Sequence, residues 1–285
     1  MAAVALAIVS AALFGAMSVV VRNALQRLPD GEAGAFATTL VALAVCGAIA
    51  LASREWHGDP LPFLAAGVLA PGTSQVLYVL AIREAGPSRT SVLVGVAPLV
   101  SVAIALLALG EPLRPPLVVG AVLIVGGGLA LATERVRPEA FRSIGMLFAL
   151  ASTLFFAGRD NVVRWLLGDT DVAPQLAASA TLVAGSMVIA SYLVATRGRR
   201  AGRDMMRALP LFAPAGAVFG VSYALLFEAF SRGRVTVVSP LVATESLFGV
   251  LASWLVIRRH ELVGRHLLAG ALLIVAGGAL IGVYR

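Results

Sequence analysis

"GAVLIVGGGLA" (residues 120–130) and "GALLIVAGGAL" (residues 270–280) agree at seven of eleven positions and lie 150 residues apart. A chain that repeats itself at about half its length is built from two related units, so the reading of this pair decides the fold. The same acid-containing corner precedes each copy at the same offset, "GEPL" with Glu111 and "HELV" with Glu261. Further upstream, "SAALFGAMSVVVRNAL" from Ser10 matches "STLFFAGRDNVVRWLL" from Ser152 at an offset of 142, sharing serine, phenylalanine, a Val-Val-Arg run and leucine. Changes in loop length account for the drift in offset.

Composition sets the medium in which these units fold. A hydrophobic fraction of 59%, a charged fraction of 13% and a mean hydropathy of +0.94 exclude an ordinary water-soluble domain. Apolar windows of the roughly 17 to 25 residues that cross a hydrocarbon core occur ten times, at 3–21, 33–52, 62–82, 90–109, 115–133, 143–167, 173–195, 209–230, 235–257 and 264–284. The expected fold is an all-α integral membrane protein of ten transmembrane helices, numbered here as spans one to ten. Barrel strands would show short alternating segments instead of continuous apolar runs. Each half, residues 1–137 and 138–285, carries five spans, an odd number, so the second half enters the bilayer in the opposite sense. Two inverted repeats around a central cavity can present one site alternately to either side, which is the logic of an alternating-access transporter.

The function classes that remain are few. The longest polar connection, "ATRGRRAGRDMMRALP" (195–210), leaves no room for a soluble catalytic domain. Span one lacks the positive region that precedes a cleavable signal core, and reads as a retained helix. Cys46 is the single cysteine, so neither an intrachain disulfide nor a cysteine metal site is expected. His57, His260 and His266 fall in loops or at helix ends, which leaves no base for an intramembrane serine protease, and no HExxH spacing occurs. The expectation is therefore no enzyme, no catalytic residue, no metal and no cofactor, with a channel as the rival to a carrier.

All 22 basic residues are arginines, and their distribution speaks to orientation instead of nucleic-acid binding. Fifteen follow the odd-numbered spans and six lie on the opposite side, which predicts both termini on the exoplasmic face. The bilayer and a small-molecule substrate are the expected partners.

Candidate site residues are the polar groups stranded in apolar windows. Glu245 falls near the middle of "SPLVATESLFGVLASW" (239–254), where a charge costs about 2.5 to 3.5 kcal/mol on insertion scales. It either lines the cavity, binding a substrate amine or carrying a proton, or is a protonated acid bonded to a neighbouring helix. In "FFAGRDNVVRW" (155–165), Asp160 and Arg164 are spaced to pair locally while Arg159 snorkels. Alternatively, Arg159 faces the cavity and offers its planar fork to a substrate carboxylate, making a zwitterion-reading pair with Glu245. Ser74, Gln75 and Tyr78 in span three and Ser222 and Tyr223 in span eight complete the substrate-binding set, the two tyrosines occupying roughly corresponding places. Belt tyrosines at the membrane interface are the alternative. Pro98 and Pro240, with Gly95 and Gly249 nearby, are expected to kink spans four and nine, either as gating hinges or as static bends. The glycines of spans five and ten predict close helix packing or a homodimer contact, the chain being a monomer or a homodimer.

Ten spans in two halves, the Phe14-Gly15 pair in span one, the proline-interrupted span four ending in "LGEPL" (109–113) and the glycine-rich span five together resemble the drug/metabolite transporter superfamily, specifically its EamA-type members. The resemblance covers essentially the whole chain. It implies a cavity formed by spans one to four and six to nine, with spans five and ten outside it, and export of metabolites. Many members of that family place both termini in the cytoplasm, against the arginine count here. Within the family the chain resembles the YddG-like amino-acid exporters most. The expected function is thus a secondary transporter in a bacterial-type cytoplasmic (inner) membrane, exporting small neutral or zwitterionic metabolites such as amino acids, aromatic and hydrophobic ones included. Proton antiport of another substrate class, or a channel-like facilitator, is the alternative.

Overall fold

The structure, a computed structural model, describes residues 2–85, 90, 93–94, 96–112, 114–132, 143–257 and 265–284. The described residues form α1 (Ala2–Arg27), α2 (Gly31–Ser53), α3 (Phe63–Gly67), α4 (Ser74–Ala85), α5 (Ala97–Ala108) and α6 (Pro115–Ala132). The second half follows with α7 (Ile144–Asp169), α8 (Pro174–Arg197), α9 (Ala201–Arg232), α10 (Val235–Val242), α11 (Glu245–Ile257) and α12 (Arg265–Tyr284). Among the described residues, five stretches are long and apolar enough to cross a membrane: Ala2–Arg27, Gly31–Ser53, Phe63–Ala85, Ile144–Asp169 and Pro174–Arg232. The last of these holds α8 and α9, joined by the single 3-10 turn Gly198–Arg200. Shorter apolar helices cover Leu99–Ala108, Pro115–Ala130, Val235–Gly249 and Leu272–Ile281.

Local chemistry explains where helices start and break. Asp30 accepts the Ala33 N–H at 3.0 Å and so caps α2. Pro174 opens α8 at a position whose N–H has no helical partner anyway. Between α3 and α4 the chain leaves helical geometry at Ala70 (φ −146°, ψ 124°), immediately before Pro71. This break divides the third apolar window, which hydropathy alone reads as one continuous span.

The two prolines expected to bend spans four and nine stand at opposite ends of their helices. Pro98 lies in the first turn of α5, so it removes no helical hydrogen bond. Pro240 lies in the last turns of α10, and the break follows it at Ala243–Thr244. Gly95 falls outside the described residues. Gly249 sits inside α11 with its Cβ position 3.7 Å from the Gly15 Cα, which makes it a contact with α1.

Two sets of contacts fix the halves against each other. On the outside, α6 and α12 run antiparallel with their glycines interlocked. A Cβ on Gly120 would come within 2.9 Å of the Gly277 carbonyl oxygen, and one on Gly127 within 2.5 Å of that of Gly270. Only glycine permits this approach. Of the two uses expected for these glycines, close helix packing or a homodimer contact, the four positions make the first within one chain. Inside, Ser10 Oγ donates to the Ser222 carbonyl at 2.9 Å where α1 crosses α9, and Ser152 Oγ donates to the Ser74 carbonyl at 3.1 Å where α7 crosses α4.

Charges gather at helix ends. Arg197 bonds Asp30 at 2.9 Å, Asp204 at 3.1 Å and Glu32 more closely still, tying the start of α2 to the α8–α9 corner. Burial pushes the Asp30 carboxyl up, but the hydrogen bonds from Arg197 and the Ala33 N–H outweigh it and hold the group below 3.8.

Glu111 of the "GEPL" corner caps a helix of the other half. Its Oε1 accepts the Val235 N–H at 3.0 Å and its Oε2 the Thr236 N–H at 3.1 Å, where Arg234 supplies no side-chain cap to α10. Glu111→Ala is expected to cost about 1 to 2 kcal/mol, the size of a lost N-terminal cap. The loss should be read as a drop of a few degrees in the melting temperature of the detergent-solubilised protein.

Candidate functional site

The breaks in the helices open a cavity between the two halves. Its lining comes from α1 (Phe14, Met17), α4 (Gln75, Tyr78), Val94, Ala97 of α5, α7 (Phe156, Arg159, Asp160), α9 (Phe219, Tyr223, Leu226) and the α10–α11 break (Ser239, Val242, Ala243, Glu245). Helices α2, α6, α8 and α12 contribute none of these residues. The cavity volume is about 60 Å³, room for a few waters. Established ligand pockets run to roughly 300 to 1,000 Å³, so a metabolite fits only if the lining moves.

Arg159 is 4% exposed, and its Nε lies 3.0 Å from Asp160 Oδ1 without the alignment of a hydrogen bond. The Arg159 Nε and Nη1 and the Asp160 Oδ1 make no hydrogen bond. Asp160 Oδ2 accepts from Ser239 Oγ at 2.9 Å, which ties α7 to α10. The guanidinium carbon stands 5.1 Å from the Tyr223 ring centre and 5.9 Å from that of Phe156, within cation–π range of both. Neighbouring Asn161 fixes α7 by donating to the Ser101 carbonyl at 3.1 Å.

Tyr223 is held as firmly. Its hydroxyl donates to the Ala70 carbonyl at 3.2 Å and lies 3.2 Å from Thr181 Oγ1. Ala70 is where the chain leaves the helix, so the tyrosine satisfies an acceptor that the break would otherwise strand. Phe219 and Phe227 pack on its ring at 5.3 and 4.9 Å between centroids. Glu245 is the first residue of α11, where a carboxylate is favoured by the helix N-terminus. It makes no hydrogen bond or ion pair with another described residue.

Of the substrate-binding set read from sequence, Glu245, Arg159, Gln75, Tyr78 and Tyr223 come together here. Ser74 and Ser222 do not, because their carbonyls serve the helix crossings with α7 and α1. Gln75 reaches the cavity while its Nε2 donates to Thr38 Oγ1 of α2 at 3.3 Å. Asp160 does not pair with Arg164 as its spacing suggested. It faces Ser239 instead, and Arg164 donates to the Phe230 carbonyl at 3.1 Å. Sequence reasoning passed over Phe156, Phe219 and Ser239, whose signal was their place one or two turns from the singled-out polar residues, and Met17, which carried no such signal because α1 holds none of them.

The EamA-like transporter family matches residues 1–133 and again residues 143–283. A protein crystal structure resembles the chain with a TM-score of 0.75 at 19% identity, over 99% of this chain and 97% of that one, a likeness of fold. No curated protein sequence matches the chain.

Proposed function

The chain belongs to the EamA-like transporter family, and on that premise we propose that it is a secondary transporter that exports small zwitterionic metabolites, amino acids among them, by alternating access. Family members are transporters of small molecules across membranes and not enzymes, and this chain is a multi-pass membrane protein. The carrying observation is the cavity itself. A space of only about 60 Å³ between the halves, with one guanidinium and two carboxylates on its wall, suits the binding site of a carrier better than the wide lumen of an open pore.

Ten spans in two inverted repeats fit the contacts. The pair Gly120–Gly277 becomes Gly270–Gly127 when 150 is added to one number and subtracted from the other, and that contact is also made. Likewise, Ser10 donating to Ser222 corresponds to Ser152 donating to Ser74 under offsets of 142 and 148. Exchange of partners between halves is what an inverted two-fold requires. The arginine bias supports placement in a bacterial-type cytoplasmic membrane with both termini exoplasmic.

Within the site, Arg159 holds a substrate carboxylate, and Glu245 holds its ammonium group or a proton in exchange. Arg159 and Asp160 neutralise each other, so an ionised Glu245 leaves one negative charge that a cationic group or a proton must balance. Purified protein in proteoliposomes should show saturable counterflow of a radiolabelled zwitterionic amino acid, lowered tenfold or more by Glu245→Gln. Flux that is linear in concentration and shows no counterflow would make the protein a channel.

A further inference from the structure

We infer that Met17 is a specificity-determining residue, and that the cavity takes an amphipathic monocarboxylate in one orientation, head on Arg159 and apolar body against Phe14 and Met17. The inference rests on the transport reading for the identity of the site and deepens it by naming which wall meets which end of the substrate.

The two serine contacts fix the register in which the halves correspond. Ser10 aligns with Ser152, which places Phe14 on Phe156, Met17 on Arg159 and Ser18 on Asp160. The prolines align Ala97 with Ser239. Phe14, Phe156, Met17, Arg159, Asp160, Ala97 and Ser239 line the cavity and Ser18 does not, so equivalent positions of the two halves both contribute to its wall. Their chemistry does not match. One wall carries a guanidinium, a carboxylate and a hydroxyl, and the other carries a thioether and a methyl group. Ser18 does not restore the balance, since its hydroxyl donates to the Gly15 carbonyl of its own helix at 2.7 Å.

Each wall selects a ligand feature. The buried Arg159 has its Nε beside Asp160 and its Nη1 with no hydrogen bond, and a substrate carboxylate can take up that Nη1 donor. Opposite, Met17 is 3% exposed, and its flexible, polarisable side chain moulds to apolar bodies of varied shape. A ligand with a second carboxylate at its far end would bury that charge against Met17, where no further cationic side chain lines the cavity among the described residues, which excludes it. The tyrosine thought to match Tyr223 obeys the same register: Tyr223 corresponds to Gln75, and Tyr78 to Leu226, so the aromatic groups are offset along the cavity instead of facing one another.

The test is equilibrium binding to the full chain in detergent by titration calorimetry, with 3-phenylpropanoate and glutarate as probes. Wild-type protein should bind 3-phenylpropanoate at least tenfold more tightly than glutarate. Met17→Arg, which places a guanidinium in each half, should reverse that order, and Met17→Leu should leave it within threefold. If Met17→Arg does not purify as a monodisperse protein, Met17→Gln keeps the shape and should weaken 3-phenylpropanoate tenfold. Glutarate bound as tightly as 3-phenylpropanoate by the wild type, no binding of either, a Met17→Arg protein that leaves the order unchanged, or a Met17→Gln protein that binds 3-phenylpropanoate as the wild type does would overturn the inference. Failure of the transport reading is separate, because it shows as absent counterflow in proteoliposomes whatever the binding order.

Discussion

Arg159→Met is expected to unsettle the fold, whereas Arg159→Met with Asp160→Ser is expected to fold normally and still carry no carboxylate substrate. The single change leaves the Asp160 carboxylate, on a residue 6% exposed, with only the Ser239 hydroxyl. Breaking a buried ion pair from one side costs about 3 to 5 kcal/mol, because an uncompensated charge stays behind. Removing both charges is often neutral or stabilising by about 1 to 4 kcal/mol. Methionine followed by serine is also what the first half carries at Met17 and Ser18, so the backbone of such a helix already accommodates the pair. Transport should fall about thirtyfold or more in the double variant, since losing one side of a buried charged contact costs about 2 to 5 kcal/mol. Arg159→Lys should not rescue it. An ammonium offers no planar fork and stacks poorly between the Tyr223 and Phe156 rings that flank the guanidinium. Thermal unfolding followed by size-exclusion chromatography separates the stability outcome from the transport outcome. A double variant that retains counterflow of amino acids would place carboxylate recognition elsewhere.

The ionisable groups of this site were legible because a charge inside an apolar window is conspicuous, and Arg159 and Glu245 both line the cavity. Their partners were less so. The spacing of Asp160 and Arg164 obeys a local helix rule, but the bond that forms instead, to Ser239, crosses 79 positions of chain. Ser74 and Ser222 show how finely a helix sorts its faces. Each is adjacent to a residue that does line the cavity, Gln75 and Tyr223, and one step along a helix turns the side chain by about 100°. Hydropathy identifies the right helix and says nothing of that rotation. Prolines mark a discontinuity but not its side: α5 begins at Ala97, just before Pro98, while α10 runs past Pro240 to Val242. The glycines of α6 and α12 announced close approach, and the partner of each became visible only once the two copies of the repeat were seen packed on one another.

The Phe14-Gly15 pair, read at first only as a family resemblance, has a steric cause that makes the sharpest stability prediction. A Cβ added at Gly15 would lie 2.5 Å from the Gly249 nitrogen, 2.7 Å from the Glu245 oxygen and 2.8 Å from the Phe248 carbonyl carbon. All three are backbone atoms, so no side chain can rotate away, and α1 and α11 must separate. Overpacking that side chains can absorb costs about 1 to 3 kcal/mol, and contact with rigid backbone lies at or beyond the top of that range. The reverse substitution is mild, because a Cβ on Gly249 meets Ser18 Oγ at 3.5 Å and Gly15 at 3.7 Å, ordinary contact distances. Gly15→Ala is therefore expected to reduce the yield of monodisperse protein severalfold, and Gly249→Ala to leave it close to wild type. The consequence for function follows from where the collision falls. The Glu245 carbonyl is one of the atoms that must yield, and the same residue carries the carboxylate on the cavity wall. Any Gly15→Ala protein that does fold holds Glu245 out of register with Arg159, so its counterflow should drop even where its melting temperature partly recovers. Equal yields from the two alanine variants would mean that α1 and α11 do not pack through Gly15.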